Sequence, residues 1–207
     1  MSIKYQEYRG AEGLVIAKIL KDNNETGTGE GYVVDDVKEL AGAGKITKST
    51  EINNETKYYD NKPVIITTAK GKDEISLEVS MIPLDILAEI TGQKYDSATG
   101  SMIEGEATPA YYALGYITEA TDGSKRYVWR FKGMFSIPDE EANTKTDGTD
   151  SNGQTITYTG ITTTHKFTKN DGKGASGIVV DDGLGLADVD DFFDTVTTPD
   201  TIAAKSA

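Results

Sequence analysis

The sequence predicts a mainly β protein, a sandwich or barrel of mostly antiparallel strands with one flanking α-helix. Three observations predict it. Apolar and polar residues alternate strictly over residues 74–80 and recur in strand-length runs elsewhere. Gly, Asn and Asp clusters punctuate those runs at short intervals. Strong helical spacing of apolar residues occurs at one place in the body, directly after Pro83.

That place organises the chain. Over residues 72–95, Ile75, Leu77, Val79 and Met81 fall on one face and Glu74, Glu78 and Ser80 on the other. Period two predicts a half-buried strand. Pro83 has no backbone N–H to continue the ladder. Leu84, Leu87, Ala88 and Ile90 then share one helical stripe, with Asp85 near the positive N-terminal end and Gly92 as the stop.

In chain order, residues 1–13 are polar and Tyr-bearing and read as an N-terminal arm. Residues 14–20 form a strand candidate, and residues 21–31 a turn-rich loop. A second strand is expected within 32–40, around Tyr32, Val33 and Val34. Residues 45–51 alternate weakly, and Asn53-Asn54 is a turn signal. After Pro63, residues 64–68 are apolar on both faces, as in a central strand. Beyond the helix, residues 93–108 read as a polar loop. Residues 110–119 and 125–135 read as strands joined by a hairpin turn at residues 121–124. On the second, Tyr127, Trp129, Phe131 and Phe135 are expected on one face, toward the core. Arg126, Arg130 and Lys132 are expected on the other.

Residues 138–153 are polar apart from Ala142, a length unusual for an unstructured loop inside a domain and most often functional or disordered. Residues 154–167 return to Thr-rich β sequence. A Gly-rich linker, 170–177, leads to a short strand candidate at 178–180 and a small helix candidate at 187–196. Phe192 and Phe193 within the last are expected to be buried. No Lys or Arg occurs between Asp181 and Asp200. The chain therefore divides into an arm, 1–13, a β body, 14–169, and an acidic C-terminal arm, 170–207.

Composition excludes several function classes. There is no Cys, hence no disulfide, thiolate chemistry or Cys-ligated zinc. No apolar run approaches the roughly 20 residues of a membrane span, and residues 1–10 lack a signal-peptide core. A soluble product of the cytoplasm is expected. Lys and Arg number 21 against 34 Asp and Glu, a formal charge of −13. That opposes a protein gripping nucleic acid by its phosphates. It is compatible with simple solubility, and with a wall past which a polyanion slides.

Catalytic motifs fail on inspection. The one histidine, His165, has no nucleophile elbow to serve. Gly172-Lys173-Gly174 lacks P-loop spacing, and the stretch from Asp147 to Gly153 misses the calcium-loop positions. Glu140-Glu141 reads as solvated. No catalytic residue, cofactor site or metal site is expected. The Arg126, Arg130 and Lys132 face is expected to pair with carboxylates, including those of a neighbouring subunit.

Several motifs in order resemble one family. They are Tyr58-Tyr59-Asp60-Asn61 at a hairpin end and the strand–Pro83–helix–Gly92 unit. Lys94-Tyr95-Asp96 and residues 100–104 follow the helix. Then come residues 110–115 paired with 126–131, the Thr-rich 155–159, and Phe192-Phe193 with Val196. Together they span roughly residues 41–196. The chain resembles the major tail protein of long non-contractile-tailed bacteriophages, the subunit of the tail tube. Residues 176–188, rich in Gly and Asp, depart from the pattern.

The resemblance implies a β-sandwich or barrel tail-tube fold with one flanking helix, long polar hairpins and terminal arms. It implies a structural virion protein, without catalysis, made in the host bacterial cytoplasm. Hexameric rings would stack into a hollow tube that conducts DNA on ejection. Expected partners are other copies, the tape measure, tail terminator and distal tail proteins. DNA would pass without specific binding, and no membrane is involved. Residues expected at subunit contacts are Asn53, Asn54, Tyr58, Tyr59, Asp60, Glu140, Glu141 and Asp147. Glu74 and Glu78 are expected to line the channel. The alternatives are an inner-tube subunit of a contractile injection system and, further off, a β-sandwich binding or adhesin module.

Overall fold

The computed structural model describes residues 5–27, 31–139 and 153–205 of the 207-residue chain. Its elements are β1 (Tyr8–Asp22), β2 (Tyr32–Val34), β3 (Lys38–Glu39), β4 (Ala43–Tyr59), β5 (Lys62–Val79), α1 (Leu84–Thr91), β6 (Lys94–Asp96), β7 (Ser101–Ile103), β8 (Tyr112–Ala120), β9 (Lys125–Phe135), β10 (Gln154–Gly160) and β11 (Gly177–Asp181). One antiparallel sheet runs in the order β2-β1-β8-β9-β10-β5-β4. Strand β3 adds to β1 and β11 to β9, while β6 and β7 form a separate hairpin.

Apolar residues on the two faces of this sheet make two cores. The first joins Leu14 and Ile16 of β1, Ile75, Leu77 and Val79 of β5, Leu114 of β8, Val128 of β9 and Tyr158 of β10. Side chains from distant strands meet because the sheet curls until β4 approaches β1. Helix α1 adds Leu87 and Ile90 to that core. The second core lies on the other face. There Trp129, Phe131, Phe167, Val180, Phe192 and Val196 pack together.

The strand–Pro–helix unit is as read from the sequence, with Pro83 just before the first helical residue. Leu84 stays partly exposed, and so does Met81 at the end of the alternating run. Gly92 ends α1 at φ 73, and an added Cβ would lie 2.3 Å from the Thr108 carbonyl carbon. Only glycine suits both demands.

Several expectations are corrected. The Asn53-Asn54 turn does not form: both residues lie inside β4, paired with Ala69 and Thr68. The turn is Asp60-Asn61, at φ 49 and 61. Asp and Asn tolerate that left-handed conformation, which a two-residue hairpin requires at both positions. Residues 64–68 are exposed rather than central, because β5 above Asp73 has only β4 beside it. The polar loop 93–108 contains the β6–β7 hairpin.

Phe135 does not share a face with Trp129 and Phe131. Leu114 and Tyr112 on β8 oppose Arg130 and Gly133 on β9, so β9 carries an extra residue and its faces exchange. Phe135 thereby joins the first core. At Gly133 a Cβ would fall 2.4 Å from the Tyr158 ring.

The described segments next to both ends pack against the β body. β1 begins at Tyr8, and residues 8–12, expected as arm, pair with the end of β8. Past residue 170, β11 pairs with β9, and the Trp129 indole N–H donates to the Phe192 carbonyl at 3.0 Å. Residues 190–196 form consecutive turns in place of the helix expected over 187–196, and Ala187 bridges Ala204. Asp188 accepts from the Asp190 N–H locally instead of leaving that donor to a helix. Phe192 is buried as expected, and Phe193 packs edge-on against Trp129.

Candidate functional site

The distinctive surface comes from the longest hairpin. Strands β4 and β5 pair from Ala43 with Val79 up to Tyr59 with Lys62. The lower half of β5 is held on its other edge by β10, from Val79 down to Asp73. Above Asp73, among the described residues, no strand but β4 pairs with it, and residues 51–59 and 62–72 are exposed on both faces. At about 3.4 Å per residue, this two-stranded ribbon projects about 35 Å. It exposes Ile52, Tyr58, Tyr59, Val64, Ile65 and Ile66. A lone ribbon is at best marginally stable in water. Apolar side chains gathered on one mark a contact surface.

A buried ionic cluster fixes the ribbon where it leaves the body. The Asp73 carboxylate, 2% exposed, accepts from Lys48 at 2.9 Å, Thr50 at 2.6 Å and Lys70 at 3.3 Å. Burial alone would raise its pKa. The Thr50 and Lys48 hydrogen bonds, with the charges of Lys48 and Lys70, bring it instead down to about 2. Lys70 also donates to Ser176 at 2.7 Å, tying the ribbon base to the segment before β11.

The residues singled out in the sequence distribute as follows. Asn53, Asn54, Tyr58, Tyr59 and Asp60 all lie on the ribbon. Glu140, Glu141 and Asp147 lie outside the described residues. Glu74 and Glu78 project from the sheet face opposite the first core, about half exposed. Each is paired with a lysine: Glu78 with Lys45 at 3.1 Å, Glu74 with Lys72 at 3.3 Å. In register beside them stand Thr47 and Ser49 of β4, Ser76 of β5, and Thr155, Thr157 and Thr159 of β10. This face is hydroxyl-rich and its charges are balanced.

The three β9 cations singled out in the sequence, Arg126, Arg130 and Lys132, are engaged within the chain. Arg126 meets Asp181 at 3.1 Å and the Tyr8 hydroxyl at 3.0 Å. Arg130 donates to the Tyr116 hydroxyl at 3.3 Å. Lys132 meets Asp22 at 2.6 Å and lies over the Tyr111 ring. Burial would raise the Asp22 pKa, but Lys132 and the Thr164 and His165 backbone N–H groups hold it below the ordinary value. His165 is buried against Tyr32 and Phe167, its Nε2 2.9 Å from the Gly27 carbonyl.

The ribbon residues that sequence reasoning misplaced are Val64, Ile65 and Ile66. The available signal was Pro63, which demotes the run after it from central strand to edge. A second exposed apolar feature was also not foreseen. A groove of about 630 Å³ lies beside the start of α1, lined by Met81, Ile82, Leu84, Leu87, Met102 and Ile137. Among the described residues there is no cluster of metal-ligating side chains, and no helix is long and apolar enough to cross a membrane.

The family model described as phage tail tube protein matches residues 18–181 of the 207-residue chain. No curated protein matches it.

Proposed function

The chain belongs to the phage tail tube protein family, and on that premise we propose that it closes into hexameric rings which stack into a hollow tube conducting DNA during ejection. Membership makes it a structural protein of the virion tail that assembles with itself and with other tail proteins. The tape measure, tail terminator and distal tail proteins are the specific partners this reading assigns. The observation that supports self-assembly is the ribbon, whose apolar side chains are exposed among the described residues of one copy. Head-to-tail contacts of one surface with a different one generate rings and stacks.

In this reading Glu74 and Glu78 face the channel. DNA carries one charge per ~1.7 Å of axis, so a basic wall would hold it. A wall of Thr and Ser hydroxyls with paired Glu and Lys gives a polyanion no net attraction. Arg126, Arg130 and Lys132 act within the subunit, where they hold β9 to its neighbours.

Negative-stain microscopy of concentrated protein tests the assembly. Tubes or stacked rings are expected from the whole chain. A variant whose residues 53–68 are replaced by Asn-Gly is expected to remain a folded monomer. Monomers from both proteins at every concentration would overturn the reading.

A further inference from the structure

The ribbon and the α1 groove are two exposed apolar features among the described residues, and they stand at opposite ends of one strand. Strand β5 starts at Lys62 in the ribbon turn and ends at Val79, from which Ser80 leads straight into Met81 and Ile82 of the groove. At about 3.3 Å per residue the two ends are roughly 55 Å apart. A copy therefore cannot fill its own groove with its own ribbon. Resting on the tube reading above, we propose that the ribbon end of one copy, led by Val64 and Ile66, docks in the α1 groove of a second copy.

Three observations support this occupant. The first is fit: the groove's volume lies within the range of roughly 300–1,000 Å³ that buries a ligand, and its lining is mainly apolar. The second is charge. Lys57 and Lys62, beside the ribbon's apolar end, make no ion pair among the described residues. The groove carries Glu104, with the exposed Asp85 next to it, and no Lys or Arg lines it. The third is the lack of a rival within the chain. Residues 140–152 have Ala142 as their one apolar side chain. Glu7, two residues after the first described residue, accepts from the Thr121 N–H at the far end of β9, and four residues precede Tyr5. Four residues reach at most about 14 Å, against the ~35 Å length of that strand. Residues 206–207 are Ser and Ala. A contact between unlike surfaces at opposite ends propagates along an axis and does not stop at a dimer.

The chain has no cysteine, so introduced ones report on contacts directly. Ile66 is 68% and Met81 79% exposed, so replacing either is expected to leave the fold intact. Under mild oxidation the Ile66→Cys, Met81→Cys double variant is expected to yield a ladder of cross-linked dimers, trimers and longer species. Each single variant is expected to yield none. Adding Lys57→Glu and Lys62→Glu is expected to abolish the ladder, and adding Asp85→Lys and Glu104→Lys to that chain to restore it. Tubes visible by microscopy without ribbon-to-groove cross-links would overturn the docking and leave the tube reading standing. Absence of any assembly would overturn both. Cross-linking of Ile66→Cys alone would show ribbon meeting ribbon and would also overturn it.

Discussion

Replacing Asp73 by Asn tests what holds the ribbon to the body. Asp73 is 2% exposed and gathers Lys48, Thr50 and Lys70. Its pKa is depressed from 3.8 to about 2. One pKa unit corresponds to about 1.4 kcal/mol, so the full shift is worth about 2.5 kcal/mol. Lys70 is 48% exposed, and solvent screening of that arm reduces the figure to about 1–2 kcal/mol. Because the folded pKa lies below the unfolded one, this stability is fully present above about pH 4. It is lost as pH falls through about 2. Asp73→Asn is therefore expected to lower Tm at pH 7 by roughly 3–6 °C for a chain of this size. The deficit against the unaltered protein should close as both are taken to pH 2. Thermal unfolding followed by circular dichroism across that range is the assay. An equal deficit at pH 7 and pH 2, or none at pH 7, would refute the ionic account of the ribbon base.

Other predictions address the remaining contacts. Phe192→Ala should cost about 3 kcal/mol by opening a cavity. It should also red-shift the emission of Trp129, the one tryptophan, whose N–H donates to the Phe192 carbonyl. Unchanged fluorescence would mean that the C-terminal segment does not cover that face. Lys132→Met leaves the Asp22 carboxylate, 5% exposed, with backbone donors alone. A loss of roughly 2–4 kcal/mol in denaturant unfolding is expected, with acid sensitivity beginning at higher pH because the Asp22 pKa rises. Gly92→Ala should destabilise by more than 1 kcal/mol, since φ 73 and the Thr108 backbone both oppose a side chain. The Glu74→Lys, Glu78→Lys double variant, assembled, should retain DNA in a salt-sensitive way where the unaltered assembly does not. No difference in retention would place those residues away from the channel.

What the sequence determined by itself is everything written in short-range periodicity. The alternation of Ile75, Leu77 and Val79, the switch after Pro83 and the stop at Gly92 are local events. The β8–β9 hairpin is equally local, with its turn residues and aromatic strand. The family resemblance was likewise legible, because the order of motifs along the chain carries it.

What only the tertiary structure decided depends on which strands lie beside which. Residues 64–66 look like a central strand by composition, yet β10 pairs with β5 only up to Asp73, and that leaves them bare. Phe135 changes face because one extra residue in β9 inverts the alternation, and a bulge is defined by the partner strand. The acidic C-terminal stretch reads as an arm by charge, but β9 offers an open edge and Trp129 a donor, and these capture it. The lysines that balance Glu74 and Glu78 are fixed by register as well: Lys45 reaches Glu78 from the neighbouring strand. Pairing across distant residues is a property of the folded sheet, since side chains far apart in sequence are selected there by geometry, and no local pattern encodes that choice.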